Sequence, residues 1–216
     1  MDIEQARFNM IEQQIRPWEV LDADVLSVLS HVHRENFVPA AYVDLAFADI
    51  QIPIGHNQVM MEPKVEARLV QELNLSKSDR VLEIGTGSGH VTALLATLAG
   101  QLDSVEIHKE LSVRAEDKLS QCGLSNFNLH VADAATGYGE SGQYDAVLIT
   151  GSVPSVPDGF FNALKPGGRL VAVVGTEPVM EAVRYVKNSD GISQASLFDT
   201  VLTPLENVVI SKSFVF

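Results

Sequence analysis

Three glycines at alternate positions, Gly85, Gly87 and Gly89, separate a short apolar run (80–84) from a helix-forming run (90–98). Glycine takes positive φ at little steric cost and lets a ligand approach the backbone closely. At the carboxyl end of a strand, with a helix N-terminus just behind, such a loop makes a nucleotide cradle. The residues beyond it alternate in kind. Strands are expected over 80–84, 102–107, 127–131, 144–150 and 169–174, and helices over 90–98, 111–121, 159–164 and 180–186. Strands alternating with helices imply βαβ units and a mostly parallel sheet covered on both faces. The tail, 194–216, reads as two strands with Pro204 between them, an antiparallel hairpin at one edge.

Residues 1–75 differ in pattern and are expected to form a helical extension packed on the core. The remainder, 76–216, is expected to be the ligand-binding domain. Met10, Ile11 and Ile15 predict a weak amphipathic helix that stops at Arg16-Pro17, since proline biases the preceding residue away from helix. Asp22 is a candidate N-cap for a second helix, and Pro63 a first-turn residue for a third. The stretch from Ile50 to Met61 reads as irregular.

Two acids sharpen the ligand class. Glu106 ends the second strand of the alternating region, 21 residues beyond Gly85, a spacing suited to bidentate hydrogen bonding of ribose hydroxyls. Asp133 ends the third, where it could accept a bond from an adenine amino group. A nicotinamide site follows G-x-G-x-x-G, but here the third glycine is Gly89 and position 90 is histidine. The G-x-G-x-G spacing with Glu83 before it favours S-adenosylmethionine, which has no pyrophosphate. No G-x-x-x-x-G-K-[ST] is present, which excludes a P-loop nucleotidase.

Composition narrows the partners. Among 216 residues, 15 Lys and Arg face 28 Asp and Glu, a formal charge of −13. Such a surface is a poor match for nucleic-acid phosphates or an anionic bilayer. No apolar run reaches the roughly 18 residues of a membrane span, and the start MDIEQARFN lacks the pattern of a secretory signal. The lone cysteine, Cys122, suits a reducing compartment. A cytoplasmic protein is therefore expected. The six histidines are scattered without metal-ligand spacing, so no metal site is expected.

Beyond the glycine loop, the chain resembles the protein-L-isoaspartate O-methyltransferases. Val81-Leu82-Glu83-Ile84-Gly85-Thr86-Gly87-Ser88-Gly89 matches that family's loop motif, with His90 where tyrosine is usual. Phe37-Val38-Pro39, Ala41-Tyr42 and Ile52-Pro53-Ile54-Gly55-His56-Asn57-Gln58 resemble its upstream block. Tyr144-Asp145 and Gly167-Gly168-Arg169-Leu170-Val171 resemble later ones. The resemblance implies a Rossmann-like α/β fold of class I methyltransferases and the cofactor S-adenosylmethionine. It also implies methylation of the free carboxylate of isoaspartyl residues in damaged proteins or peptides. Glu83, Gly85, Thr86, Gly87, Glu106, Asp133 and Ala134 are the expected cofactor residues.

The frame departs from the family after Gln58. Val59-Met60-Met61 stands where the family has Thr-Ile-Ser, so two hydroxyl donors are replaced by apolar groups. Candidate acceptor residues are His56, Asn57, Gln58, Met61, Thr150 and Ser152, with His56, Gln58, Met61 and Thr150 as the catalytic set. Two other readings stay open at this point: a different methyl acceptor, or a catalytically silent cofactor-binding protein.

Overall fold

The computed structural model describes residues 2–209. Helix α1 (Ile3–Met10) begins at Asp2, whose carboxylate accepts the Gln5 N–H. It does not stop at Arg16-Pro17 as expected. It widens into a π turn over Ile11–Ile15 and tightens into a 3-10 turn over Arg16–Trp18. Proline is tolerated there because it opens a new turn, where its missing N–H costs nothing. Helix α2 (Ala23–His31) is capped as the sequence predicts: Asp22 Oδ1 accepts from the N–H groups of Asp24 and Val25 at 2.9 and 3.0 Å.

The segment read as irregular is an ordered antiparallel ribbon, β1 (Ile52–Gly55) and β2 (Gln58–Met60). His56 and Asn57 form its turn with φ of 53° and 57°. Two consecutive positive φ values are what a two-residue hairpin needs to match strand twist. Helix α3 (Pro63–Glu72) follows with Pro63 in its first turn.

Then come β3 (Arg80–Ile84), α4 (His90–Leu98), β4 (Gln101–Glu106), α5 (Lys109–Gln121), β5 (Phe127–Val131), β6 (Tyr144–Val153), α6 (Asp158–Ala163), β7 (Leu164–Thr176), β8 (Val179–Asn188) and β9 (Gly191–Asp199). One sheet runs in the order β5-β4-β3-β6-β7-β8-β9. The first five strands in that order are parallel, and β8 and β9 are antiparallel additions. The chain leaves β3 toward β4 on one side and returns to its other side as β6. The loops at their carboxyl ends diverge there, and ligand crevices of open α/β sheets form at such a switch.

Residues 180–186, expected to be helical, lie in β8. Met180 and Ala182 bury on one face of the sheet, and Val183 and Tyr185 on the other. Burial on both faces erases the polar alternation that marks a strand, and the resulting run imitates a helical stripe. The antiparallel edge is therefore built from β7, β8 and β9. The expected strand after Pro204 is absent through residue 209, and its remainder lies outside the described residues.

Two apolar clusters sandwich the sheet. One joins Met10, Ile15, Leu29, Leu69 and Leu94 to sheet residues such as Val81 and Leu102. The N-terminal helices thus continue the layer that covers one face. The other joins Leu82, Ile149, Phe160 and Leu170.

Candidate functional site

A crevice opens at the carboxyl ends of β3, β4 and β6. Its floor is the glycine loop. Gly85, Gly87 and Gly89 have φ of 95°, 54° and 86°, the left-handed region that side chains disfavour. A Cβ on Gly85 would run into the Thr150 hydroxyl. That hydroxyl shares its proton between Ile84 O (2.8 Å) and Gly85 O (2.7 Å). Thr150 lines the crevice, yet its donor is turned into the loop and away from an acceptor. Gly85→Ala is expected to cost about 2–4 kcal/mol, from left-handed strain plus overpacking. A denaturation midpoint within error of the parent's would contradict this geometry.

Glu106 is 5 % exposed and lines the crevice. Its Oε2 accepts the Gly87 N–H at 2.8 Å and its Oε1 the His108 N–H at 3.0 Å. Each oxygen keeps a lone pair free. The carboxylate is thereby fixed between the glycine loop and the start of α5. Asp133 is exposed at the end of β5. Its Oδ1 accepts from Ala135 N (2.9 Å) and its Oδ2 from Asn207 Nδ2 (2.8 Å). Ala134 is buried beside it and also lines the crevice.

Glu83 is not at the crevice surface, contrary to its assignment as a cofactor contact. It is fully buried beneath the loop, where its Oε2 accepts from Thr92 Oγ1 and Ser104 Oγ, both at 2.6 Å. Ser104 Oγ in turn accepts from Thr86 Oγ1 at 2.6 Å. Glu83 therefore supports the loop through Thr86. Burial pushes its carboxyl up to about 8, against the lowering effect of the two hydroxyls. Among the described residues its Oε1 has no partner, as suits a neutral acid better than an ion.

The folded state thus holds a proton on Glu83 that the unfolded chain releases above about 4.5. Stability is then expected to fall as pH rises from 4.5 to about 8, because the native state binds the extra proton. Glu83→Gln should flatten that slope in guanidinium melts taken across the window. An unchanged slope would assign the pH dependence elsewhere.

The β1–β2 ribbon forms one wall. Gln58, Val59, Met60 and Met61 line it. The Met61 side chain is buried, and its carbonyl accepts from Arg34 Nη2 at 2.7 Å. His56 and Asn57, at the turn, are exposed and do not line the crevice. The His56 ring instead stacks on His108, with centroids 4.2 Å apart and planes 20° apart. Ser152 is buried, and its hydroxyl donates to Leu202 O at 2.9 Å. It pins the chain after β9 and does not reach the crevice.

That chain segment supplies crevice residues that the sequence does not single out. Leu202, Thr203, Leu205 and Glu206 line the crevice. They are held to Ser152 by Ser152 N to Thr203 O (3.0 Å) and Leu205 N to Ser152 O (2.9 Å). Glu66 is another such residue. It lines the crevice wall and is paired with buried Arg34 and with His90 Nδ1 at 2.8 Å. No local motif marks either group, because their partners lie far away in the chain.

The topology and this crevice define a class I methyltransferase fold. Residues 5–208 match the family model for protein-L-isoaspartate(D-aspartate) O-methyltransferase, and the chain belongs to that family. Over 199 residues it is 36 % identical to a protein-L-isoaspartate O-methyltransferase of Methanoculleus marisnigri, covering 92 % of this chain and 90 % of the relative. Over 175 residues it is 41 % identical to protein-L-isoaspartate O-methyltransferase 1 of an Anaeromyxobacter species, covering 80 % and 82 %. A Plasmodium falciparum crystal structure, named as a protein-L-isoaspartate O-methyltransferase in complex with S-adenosyl-L-homocysteine, superposes with a TM-score of 0.78 at 18 % identity. It covers 95 % of this chain and 99 % of that one. Among the described residues no helix is long and apolar enough to cross a membrane.

Proposed function

We infer that the protein is an S-adenosylmethionine-dependent methyltransferase that esterifies the free carboxylate of isoaspartyl residues in proteins or peptides. One feature of the site carries the cofactor assignment. Glu106, Asp133 and Glu206 line the crevice, Glu66 being neutralised by Arg34, and its described lining includes no Lys or Arg. Such a lining disfavours a di- or triphosphate and accommodates a nucleoside that carries a cationic sulfonium. Family membership supports the acceptor class, and the lone Cys122 suits the reducing setting of a cytoplasmic protein. Residues 1–75 act in this reading as an extension whose ribbon supplies the acceptor wall of the 76–216 domain.

When bound, S-adenosylmethionine supplies a methyl group already activated for displacement by the positive sulfur. Glu106 would hold the ribose hydroxyls with its two free lone pairs. Asp133 would accept from the adenine amino group, with Ala134 against the ring. Gly85, Thr86 and Gly87 would pass beneath the amino-acid end. A carboxylate acceptor, with a pKa of about 4, is already ionised at neutral pH. The protein therefore needs no general base. It contributes alignment and exclusion of water, the latter aided by Leu202 and Leu205 in the lining.

The test is incubation with methyl-labelled cofactor and an isoaspartyl peptide, beside its aspartyl twin. Base-labile label on the isoaspartyl peptide alone is expected. Absence of label from a protein that binds S-adenosylhomocysteine would refute the acceptor assignment and leave the cofactor assignment intact.

A further inference from the structure

The crevice lining holds a carboxylate, Glu206, whose side-chain partners come from outside the glycine loop. Glu206 Oε1 accepts from His108 Nε2 at 2.7 Å and from Gln58 Nε2 at 3.2 Å. An ionised carboxylate only accepts, so both nitrogens present hydrogens to one point. The pair is well supported. The His108 side chain is 18 % exposed, its ring is backed by His56, and the residue's backbone N–H is tied to Glu106. The neighbouring ribbon residues Val59, Met60 and Met61 offer no strong side-chain donor. Gln58 and His108 are therefore the crevice-lining side chains that jointly hold a carboxylate from outside the glycine loop.

We propose that Gln58 and His108 form the subsite for the acceptor carboxylate, and that Glu206 fills it as an internal surrogate until the acceptor displaces it. The proposal rests on the carboxyl-methylation reading above. Two carboxylates at one such point repel, and one must leave or take up a proton. Glu206 can leave: its side chain is 39 % exposed. The backbone on either side of Pro204 stays pinned to Ser152, so only a side-chain rotation is needed. Glu206 thus sets a threshold that the acceptor must overcome, and the donor pair supplies the polarity that the apolar ribbon lacks.

The test uses the full chain, labelled S-adenosylmethionine and an isoaspartyl peptide. Glu206→Ala removes the competitor and is expected to lower the peptide KM by about threefold or more. His108→Phe keeps a flat ring against His56 but loses the donor, and is expected to raise KM by about tenfold. The gain from Glu206→Ala should vanish when combined with His108→Phe, as coupling through one site requires. Acetate gives a second readout that needs no altered His108. It should compete with the peptide more strongly in Glu206→Ala than in the parent.

A peptide KM in Glu206→Ala equal to or above the parent's overturns the subsite. So does a joint rise in peptide KM and in the dissociation constant of S-adenosylhomocysteine, which would make Glu206 a tether of its segment. Failure of the parent to label any isoaspartyl peptide removes the underlying reading and the subsite with it. Labelling by the parent with unmoved variants removes the subsite alone.

Discussion

Arg34→Met is expected to destabilise the protein by about 3–5 kcal/mol, the usual cost of stripping one partner from a buried ion pair. Arg34 is 1 % exposed. Its guanidinium donates to Glu66, to Ala46 O at 2.9 Å and to Met61 O at 2.7 Å. Methionine fills much of the volume but leaves two carbonyls without their donor and Glu66 with only His90. The consequence reaches the site, because Met61 and Glu66 both line the crevice. Guanidinium unfolding of Arg34→Met beside the double variant Arg34→Met/Glu66→Leu separates charge from packing. The double variant should recover a good part of the loss. If it unfolds at the same denaturant concentration as the single variant, the charge account is wrong and Arg34 acts by packing and carbonyl contacts alone.

Glu106→Ala is expected to weaken S-adenosylhomocysteine binding at least about 100-fold. Two hydrogen bonds from a fixed carboxylate contribute about 1.5–3 kcal/mol each. The same substitution frees the N–H groups of Gly87 and His108, which Glu106 now anchors at 2.8 and 3.0 Å. Glu106→Gln retains one carbonyl acceptor and should lie between alanine and the parent. Calorimetric titration with S-adenosylhomocysteine measures both, and a melting curve on each variant shows whether the loop alone has been lost. Binding within a factor of about three of the parent, less than one neutral hydrogen bond commonly contributes, would place the ribose elsewhere.

The parts of this site that can be read in the chain are those whose partners are close in sequence or fixed by strand order. Gly85, Gly87 and Gly89 declare a backbone conformation by themselves. Glu106 declares its role through its distance from them, since one crossover helix brings the end of β4 beside the end of β3. Asp22 and Pro63 state helix starts through chemistry that needs only the next few residues. Glu83 was legible as part of the motif but not as a buried support, because burial is set by α4 and β4 packing over it. The β8 segment was misread for a related reason: its alternation disappears once both sheet faces are covered.

Contacts between distant segments left no local trace. Gln58 and Glu206 are 148 residues apart, and nothing near either predicts that they meet. Arg34, Glu66 and His90 come from three separate segments and appear in the sequence as ordinary polar residues of helices and turns. Ser152 and Thr150 lie where an open α/β sheet offers ligand contacts, yet their hydroxyls were claimed by Leu202, Ile84 and Gly85.

By itself the sequence determined the βαβ order, the glycine cradle and the acid that faces it. Each of these rests on backbone preference and short-range geometry, which a few neighbouring residues decide. The tertiary structure alone decided which polar groups face the crevice, which lie beneath it, and which remote segment joins its lining. A side chain's hydrogen-bond partner is chosen by three-dimensional proximity and desolvation, and both arise only after remote segments have been brought together.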